Sequence, residues 1–120
     1  NAIPIDRNNN KTAIESITNA EKFMTESGFS VVILPEGTRT LDGKLQKFKK
    51  GGFHMAKNTN MSIVPIVSYG AFNYKPKNRF TLSPRMIDVV IGPVIDVNEY
   101  TMDNMNELIN KTWNEMNNLL

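Results

Sequence analysis

A helical stretch, one glycine and a run of strand-forming residues follow one another between Thr12 and Leu34, and this order restricts the fold more than any other feature of the chain. Ala13, Ile14, Ile17, Ala20, Phe23 and Met24 recur at three- and four-residue intervals, which predicts one apolar face of a helix over 12–27. Thr12 and Glu15 have capping-box spacing, in which each side chain satisfies an exposed backbone N–H of the first turn. Gly28 supplies a left-handed helix stop. Val31, Val32, Ile33 and Leu34 then read as a short buried strand. Pro35 ends it, because proline cannot donate to a ladder. A helix, a glycine and a strand make an αβ unit, so the expected class is α/β, a mixed sheet flanked by helices.

The remaining elements agree with one domain. Ile3-Pro4-Ile5-Asp6-Arg7 reads as the end of an extended element running into a polar turn. Gly51-Gly52 leads into a short helix over 53–58, and two glycines there would leave N–H groups open for an anion. Ser62 to Ser68 is a second strand, with Pro65 implying an edge or an irregularity. Tyr69 to Pro84 reads as an excursion loop, and Met86 to Ile91 as a third strand bounded by Gly92-Pro93. Thr101 caps a final helix to Leu120, with Met102, Met105, Ile109, Trp113, Met116 and Leu120 along a core-facing side. No repeat or second domain interrupts the 120 residues.

Composition removes several function classes. A net charge of +2 does not support general nucleic-acid binding. The absence of cysteine excludes disulfides and thiolate metal sites, and the single histidine, His54, excludes a histidine-rich one. No Gly-x-Ser-x-Gly elbow and no phosphate-binding P-loop are present, since Gly51-Gly52 lacks the following Lys-Ser/Thr. No apolar run approaches the ~20 residues that span a bilayer. The chain starts at Asn1 with neither an initiator methionine nor a signal peptide, which suggests a segment of a longer protein.

What remains is a set of groups suited to an anion. Glu36-Gly37-Thr38-Arg39 lies just past the carboxyl end of the first predicted strand, where open α/β folds bind ligands. Gly37 admits close backbone approach, and Arg39 offers a planar fork to phosphate oxygens. Arg7 also follows an extended segment, and Lys49 with the Gly51 and Gly52 amides is near in sequence. Glu36 would either hold Arg39 or accept a hydrogen bond from a substrate hydroxyl. The plainer alternative is a surface turn in which Glu36 and Arg39 pair in solvent, worth at most about 1 kcal/mol.

In order and spacing, Ile5-Asp6-Arg7, Leu34-Pro35-Glu36-Gly37-Thr38-Arg39, Phe48-Lys49-Lys50-Gly51, Ile63-Val64-Pro65-Ile66-Val67 and the stretch from Asp88 to Asp96 resemble the glycerolipid acyltransferases, most closely those acting on 1-acylglycerol-3-phosphate. The resemblance implies transfer of a fatty acyl group from acyl-CoA or acyl-carrier protein to the 2-hydroxyl of lysophosphatidic acid, with no cofactor beyond the acyl donor. It also implies membrane association, with the site facing the cytoplasm. Arg7 and the loop of Glu36, Gly37, Thr38 and Arg39 would bind the glycerol phosphate, Lys49 would reach the same phosphate, and Pro65 would shape the wall near the acyl group or donor. One part of the pattern is missing. The family's His-x-x-x-x-Asp base precedes Ile-Asp-Arg, and His54 cannot replace it because Thr59 stands five positions on. The expectation is therefore the C-terminal portion of an acyltransferase domain, incomplete at its N-terminus and inactive alone. A non-catalytic phosphate- or phospholipid-binding module, or an acyltransferase for another lysophospholipid, is the alternative.

Overall fold

The first helix, α1 (Asn10–Ser27), ends where Gly28 turns left-handed at φ +68° and donates its N–H to the Met24 carbonyl at 2.9 Å. This computed structural model describes residues 10–75, 80 and 82–120. Arg7 and its neighbours Ile5 and Asp6, and the side chain of Ala13, therefore lie outside the described residues. The helix begins at Asn10, so Thr12 falls inside its first turn and is not the cap that its spacing with Glu15 suggests. Ala20 and Met24 are buried with Ile17 packed beside them, whereas Ile14 and Phe23 face outward. Phe23 instead stacks on Phe29, their ring centroids 5.7 Å apart.

The segment after Gly28 corrects an expectation. Val31 to Leu34 has no ladder partner among the described residues, and Val32 and Leu34 are 89% and 83% exposed. An extended chain points alternate side chains to opposite sides, so one face alone reaches the protein. Val31 packs with Ala20, Met24 and Met55, and Ile33 packs over Gly52. The segment is extended and half-packed, not buried.

Helix α2 (Gly51–Thr59) takes both glycines into its first turn, with Phe53 and His54 N–H groups on the Lys50 carbonyl. A β carbon at Gly51 would lie 3.4 Å from Ile17, and one at Gly52 would lie 3.0 Å from Ile33. The pair thus lets α1 and the 31–34 segment come close, a packing role that the sequence reading as an anion site did not include.

Two short strands form an antiparallel pair. Strand β1 (Ile66–Tyr69) pairs with β2 (Asp88–Ile91) in the register Ile66 to Ile91 and Tyr69 to Asp88. Ile63 and Ile95 make a further antiparallel bridge, and Pro65 falls between bridge and strand, at the irregularity its ring predicts. Helix α3 (Ala71–Tyr74) occupies the start of the predicted excursion. Its leading residue, Gly70, has φ +82°, and a β carbon there would meet the Met86 carbonyl oxygen at 2.7 Å. Gly70→Ala should therefore lower stability by about 1–3 kcal/mol, read as an earlier denaturation midpoint; a shift under a few tenths would mean the hairpin end relaxes freely.

Helix α4 (Met105–Asn118) starts later than its periodicity suggests. Thr101 and Asn104 bind each other first: the Thr101 N–H donates to Asn104 Oδ1 at 2.6 Å, and the Asn104 N–H donates to Thr101 Oγ1 at 3.4 Å. That reciprocal turn precedes the helix, and Met102 is left exposed ahead of it. Met105, Leu108 and Thr112 are buried, with Ile109, Trp113 and Met116 beside them. The main core joins Phe48, Phe53, Ile95, Val97, Met105 and Leu108; a smaller one joins Ala20, Met24 and Met55. Helix α2 contributes to both, through Phe53 and Met55.

Candidate functional site

Leu34 to Gly37 form a tight turn in which the Gly37 N–H donates to the Leu34 carbonyl at 3.0 Å. Proline at the second position presets the backbone angle, and glycine at the fourth suits this turn type. Gly37 itself adopts φ +70°, the left-handed region in which glycine is least strained. The turn is fixed to the main core by the next segment. The Lys49 N–H donates to the Pro35 carbonyl at 2.7 Å, and Phe48, one residue earlier, is buried. A β carbon at Gly37 would sit 3.5 Å from Lys49 Cγ, so the lysine stem crosses directly over the glycine. The structure thus brings Glu36, Gly37 and Lys49 together from distant parts of the chain.

Glu36 does not hold Arg39. Its Oε2 accepts the backbone N–H of Gln46 at 2.9 Å, and no ion pair joins Glu36 to Arg39 among the described residues. Arg39 and Thr38 are exposed and line a cleft of about 330 Å³ together with Thr40, Leu41, Asp42 and Gln46. That is the lower end of the roughly 300–1,000 Å³ span of small-molecule sites, room for a polar headgroup and not for a long acyl chain.

The far wall of the cleft is a self-braced turn. Thr40 Oγ1 donates to Asp42 Oδ1 at 2.8 Å and accepts the Gly43 N–H at 3.1 Å. Asp42 Oδ1 also accepts the Lys44 N–H at 3.1 Å and the Gln46 side-chain amide at 3.3 Å. The Thr40 hydroxyl, and then the Lys44 N–H, hold the Asp42 carboxyl below its usual range. Asp42 therefore stays ionised, and its charge is taken up by donors of its own turn. Asp-Gly was visible in the sequence as a turn; Thr40, Leu41, Asp42 and Gln46 as cleft residues were not, since that requires knowing how the turn folds back.

The other predicted residues divide. Pro65 is fully buried, its carbonyl accepting the Gly92 N–H at 2.8 Å, and it lines neither this cleft nor the larger one near Trp113. His54 lies exposed on α2. Arg7 lies outside the described residues. Among the described residues there is no cluster of acidic, histidine or cysteine side chains able to hold a metal ion, and no helix long and apolar enough to cross a membrane.

With this geometry in place, comparison with known proteins is informative. The family described as Acyltransferase matches residues 1–69. The chain is 36% identical over 107 residues to a 1-acyl-sn-glycerol-3-phosphate acyltransferase of Limnanthes douglasii, covering 89% of this chain and 38% of that protein. It is 32% identical over 114 residues to the 1-acyl-sn-glycerol-3-phosphate acyltransferase alpha of Mus musculus, covering 93% of this chain and 40% of that protein. The chain thus spans about two fifths of the length of these relatives. Its fold is similar to that of the 1-acyl-sn-glycerophosphate (LPA) acyltransferase of Thermotoga maritima, with a TM-score of 0.69 and 24% identity over 87% of this chain and 45% of that one. The α/β combination of helices and a small antiparallel sheet is accordingly an acyltransferase fold. The family match takes in the segment before Pro35, the turn from Leu34 to Gly37 and the whole of α2, and the chain belongs to the acyltransferase family.

Proposed function

We propose that this chain is the glycerol-phosphate-holding part of an enzyme that acylates the 2-hydroxyl of 1-acylglycerol-3-phosphate, giving phosphatidic acid. One observation carries the reading. Arg39 stands in a headgroup-sized cleft without an ion-pair partner among the described residues, while the nearby carboxylate of Glu36 is already engaged by the Gln46 N–H. A guanidinium so placed keeps its fork for phosphate oxygens. Lys49, crossing Gly37, supplies a second cation from above the turn, and Arg7 a third. Pro65, fully buried, acts through shape, as a rigid support behind the wall toward the acyl group or donor.

In the proposed reaction the 2-hydroxyl oxygen attacks the thioester carbonyl of acyl-CoA or acyl-carrier protein. The carbon–sulfur bond breaks, and a base takes the hydroxyl proton. The only histidine here, His54, is exposed on α2, and no carboxylate stands five residues after it. The base is therefore assigned to a His-x-x-x-x-Asp element outside these 120 residues. The acceptor is a membrane lipid, so the enzyme works at a membrane surface, on its cytoplasmic side.

Incubating the intact protein with lysophosphatidic acid and labelled acyl-CoA, and in parallel with acyl-carrier protein thioester, tests this. Labelled phosphatidic acid from the intact protein, and none from residues 1–120 alone, is expected. Binding of lysophosphatidic acid without transfer by the intact protein would favour a non-catalytic module, and turnover of only another lysophospholipid would move the acceptor.

A further inference from the structure

The single tryptophan of the chain, Trp113 on α4, is half-buried beside the main core. Its indole N–H is engaged within the protein. It donates to the backbone carbonyl of Gln46 at 3.2 Å, across 67 positions of sequence. The same residue gives its own N–H to Glu36 Oε2 at 2.9 Å. Its side-chain amide donates to the Lys44 carbonyl at 3.0 Å and to Asp42 at 3.3 Å. Gln46 is thus the node at which a core helix, the Thr40–Lys44 turn and the Glu36 carboxylate meet.

We infer that Trp113 and Gln46 are positioning residues, which keep the Glu36 carboxylate turned to the Gln46 amide and so keep Arg39 available to phosphate. The inference rests on the reading of the Glu36–Arg39 loop as a phosphate site. Its physical basis is competition. Glu36 stands three residues before Arg39 and beside the Lys49 stem that crosses Gly37, so a released carboxylate would pair with one of the cations offered to phosphate. Anchoring the Gln46 carbonyl to an indole packed beside the core restricts ψ and the Cα position of Gln46, and so narrows where the N–H on the adjoining peptide plane points. Trp113 reaches neither Thr38 nor Arg39: it lines the separate cleft with Phe72 and Leu120, so its action on the loop runs through Gln46.

Two variants test this in the intact protein. Trp113→Phe keeps an aromatic ring in the core and removes only the donor. Gln46→Ala removes the exposed side-chain braces and leaves the fold's core alone. The first readout is hydrogen exchange at the Gln46 amide, which requires no ligand. The second is steady-state kinetics with both substrates. Trp113→Phe should speed Gln46 exchange and raise the KM for lysophosphatidic acid roughly three- to ten-fold, the scale of one hydrogen bond, while the KM for the acyl donor is unchanged. Gln46→Ala should move the same two quantities less. Unchanged Gln46 exchange in Trp113→Phe overturns the inference, whatever the kinetics. A uniform fall in kcat with both KM values rising overturns it too, since that is what a merely structural tryptophan would give. Faster Gln46 exchange in Trp113→Phe, where the wild-type protein neither binds nor turns over any lysophospholipid, would instead remove the phosphate reading, and the positioning role with it.

Discussion

Arg39→Ala in the intact protein is expected to raise the apparent KM for the lysophospholipid by roughly 10- to 100-fold, the loss of a charge-assisted hydrogen-bonding group, with the KM for the acyl donor within about two-fold of wild type. The side chain is exposed and lines the cleft, so its removal leaves the packed core untouched. Arg39→Lys should recover part of the loss: an ammonium restores the charge but not the planar fork. Equal kinetics for wild type and Arg39→Ala would return the loop to an ordinary surface turn. The size of the effect depends on Glu36 staying on the Gln46 amide, because a Glu36–Arg39 pair would already have weakened the cation in the wild type.

The sequence carried the turn and its chemical identity, but not its wiring. Pro35, Gly37 and Arg39 announce themselves because proline, glycine and arginine have restricted or specific uses at a strand end. Whether Glu36 pairs with Arg39 could not be read, since its real partner is a backbone N–H 10 positions on. The link to Trp113 is still less visible, being an indole that meets a main-chain carbonyl 67 positions away in sequence. Helix positions were legible where the period was long: Gly28 ends α1 as predicted, and the methionine stripe of α4 packs inward at Met105 and Met116. Boundaries were not. Thr101 looks like a cap but pairs with Asn104, and the helix waits until Met105. The Val31–Leu34 run misled for a related reason, because four apolar residues do not say which of them will meet a neighbour. The glycines in the first turn of α2 fit both an anion site and close packing, and the approach of Ile17 and Ile33 shows the packing use.

Leu108→Ala should have the largest effect on stability, about 2–5 kcal/mol, measured as a lower midpoint in chemical denaturation with an unchanged slope. Leu108 is fully buried on α4 among Phe48, Phe53, Ile95, Val97 and Met105, so the truncated methyls leave a void that no single element can close. That is a large share of the roughly 5–15 kcal/mol that holds a domain of ordinary size. Ile14→Ala, at a position 63% exposed, should stay within about 0.5 kcal/mol of wild type. Comparable losses at the two positions would mean that Ile14 is covered in solution. Because Phe48 directly precedes Lys49, damage to this core reaches the turn through the Lys49 bond to Pro35.

Among the described residues the two hydrophobic clusters are unequal, and they hold the Pro35 turn from opposite ends. On one side the turn is tied through Lys49 to the large cluster; on the other it continues from Val31, which belongs to the small cluster of Ala20, Met24 and Met55. Local stability follows the apolar surface that each unit buries, so of the two clusters formed by the described residues the small one is expected to open first. In such a sub-global opening α1 and the 31–33 stem come loose together while α4 and the hairpin persist. The loop that carries Arg39 would then be tethered at one end only, its adaptability set by a helix that touches neither the cleft nor its contents.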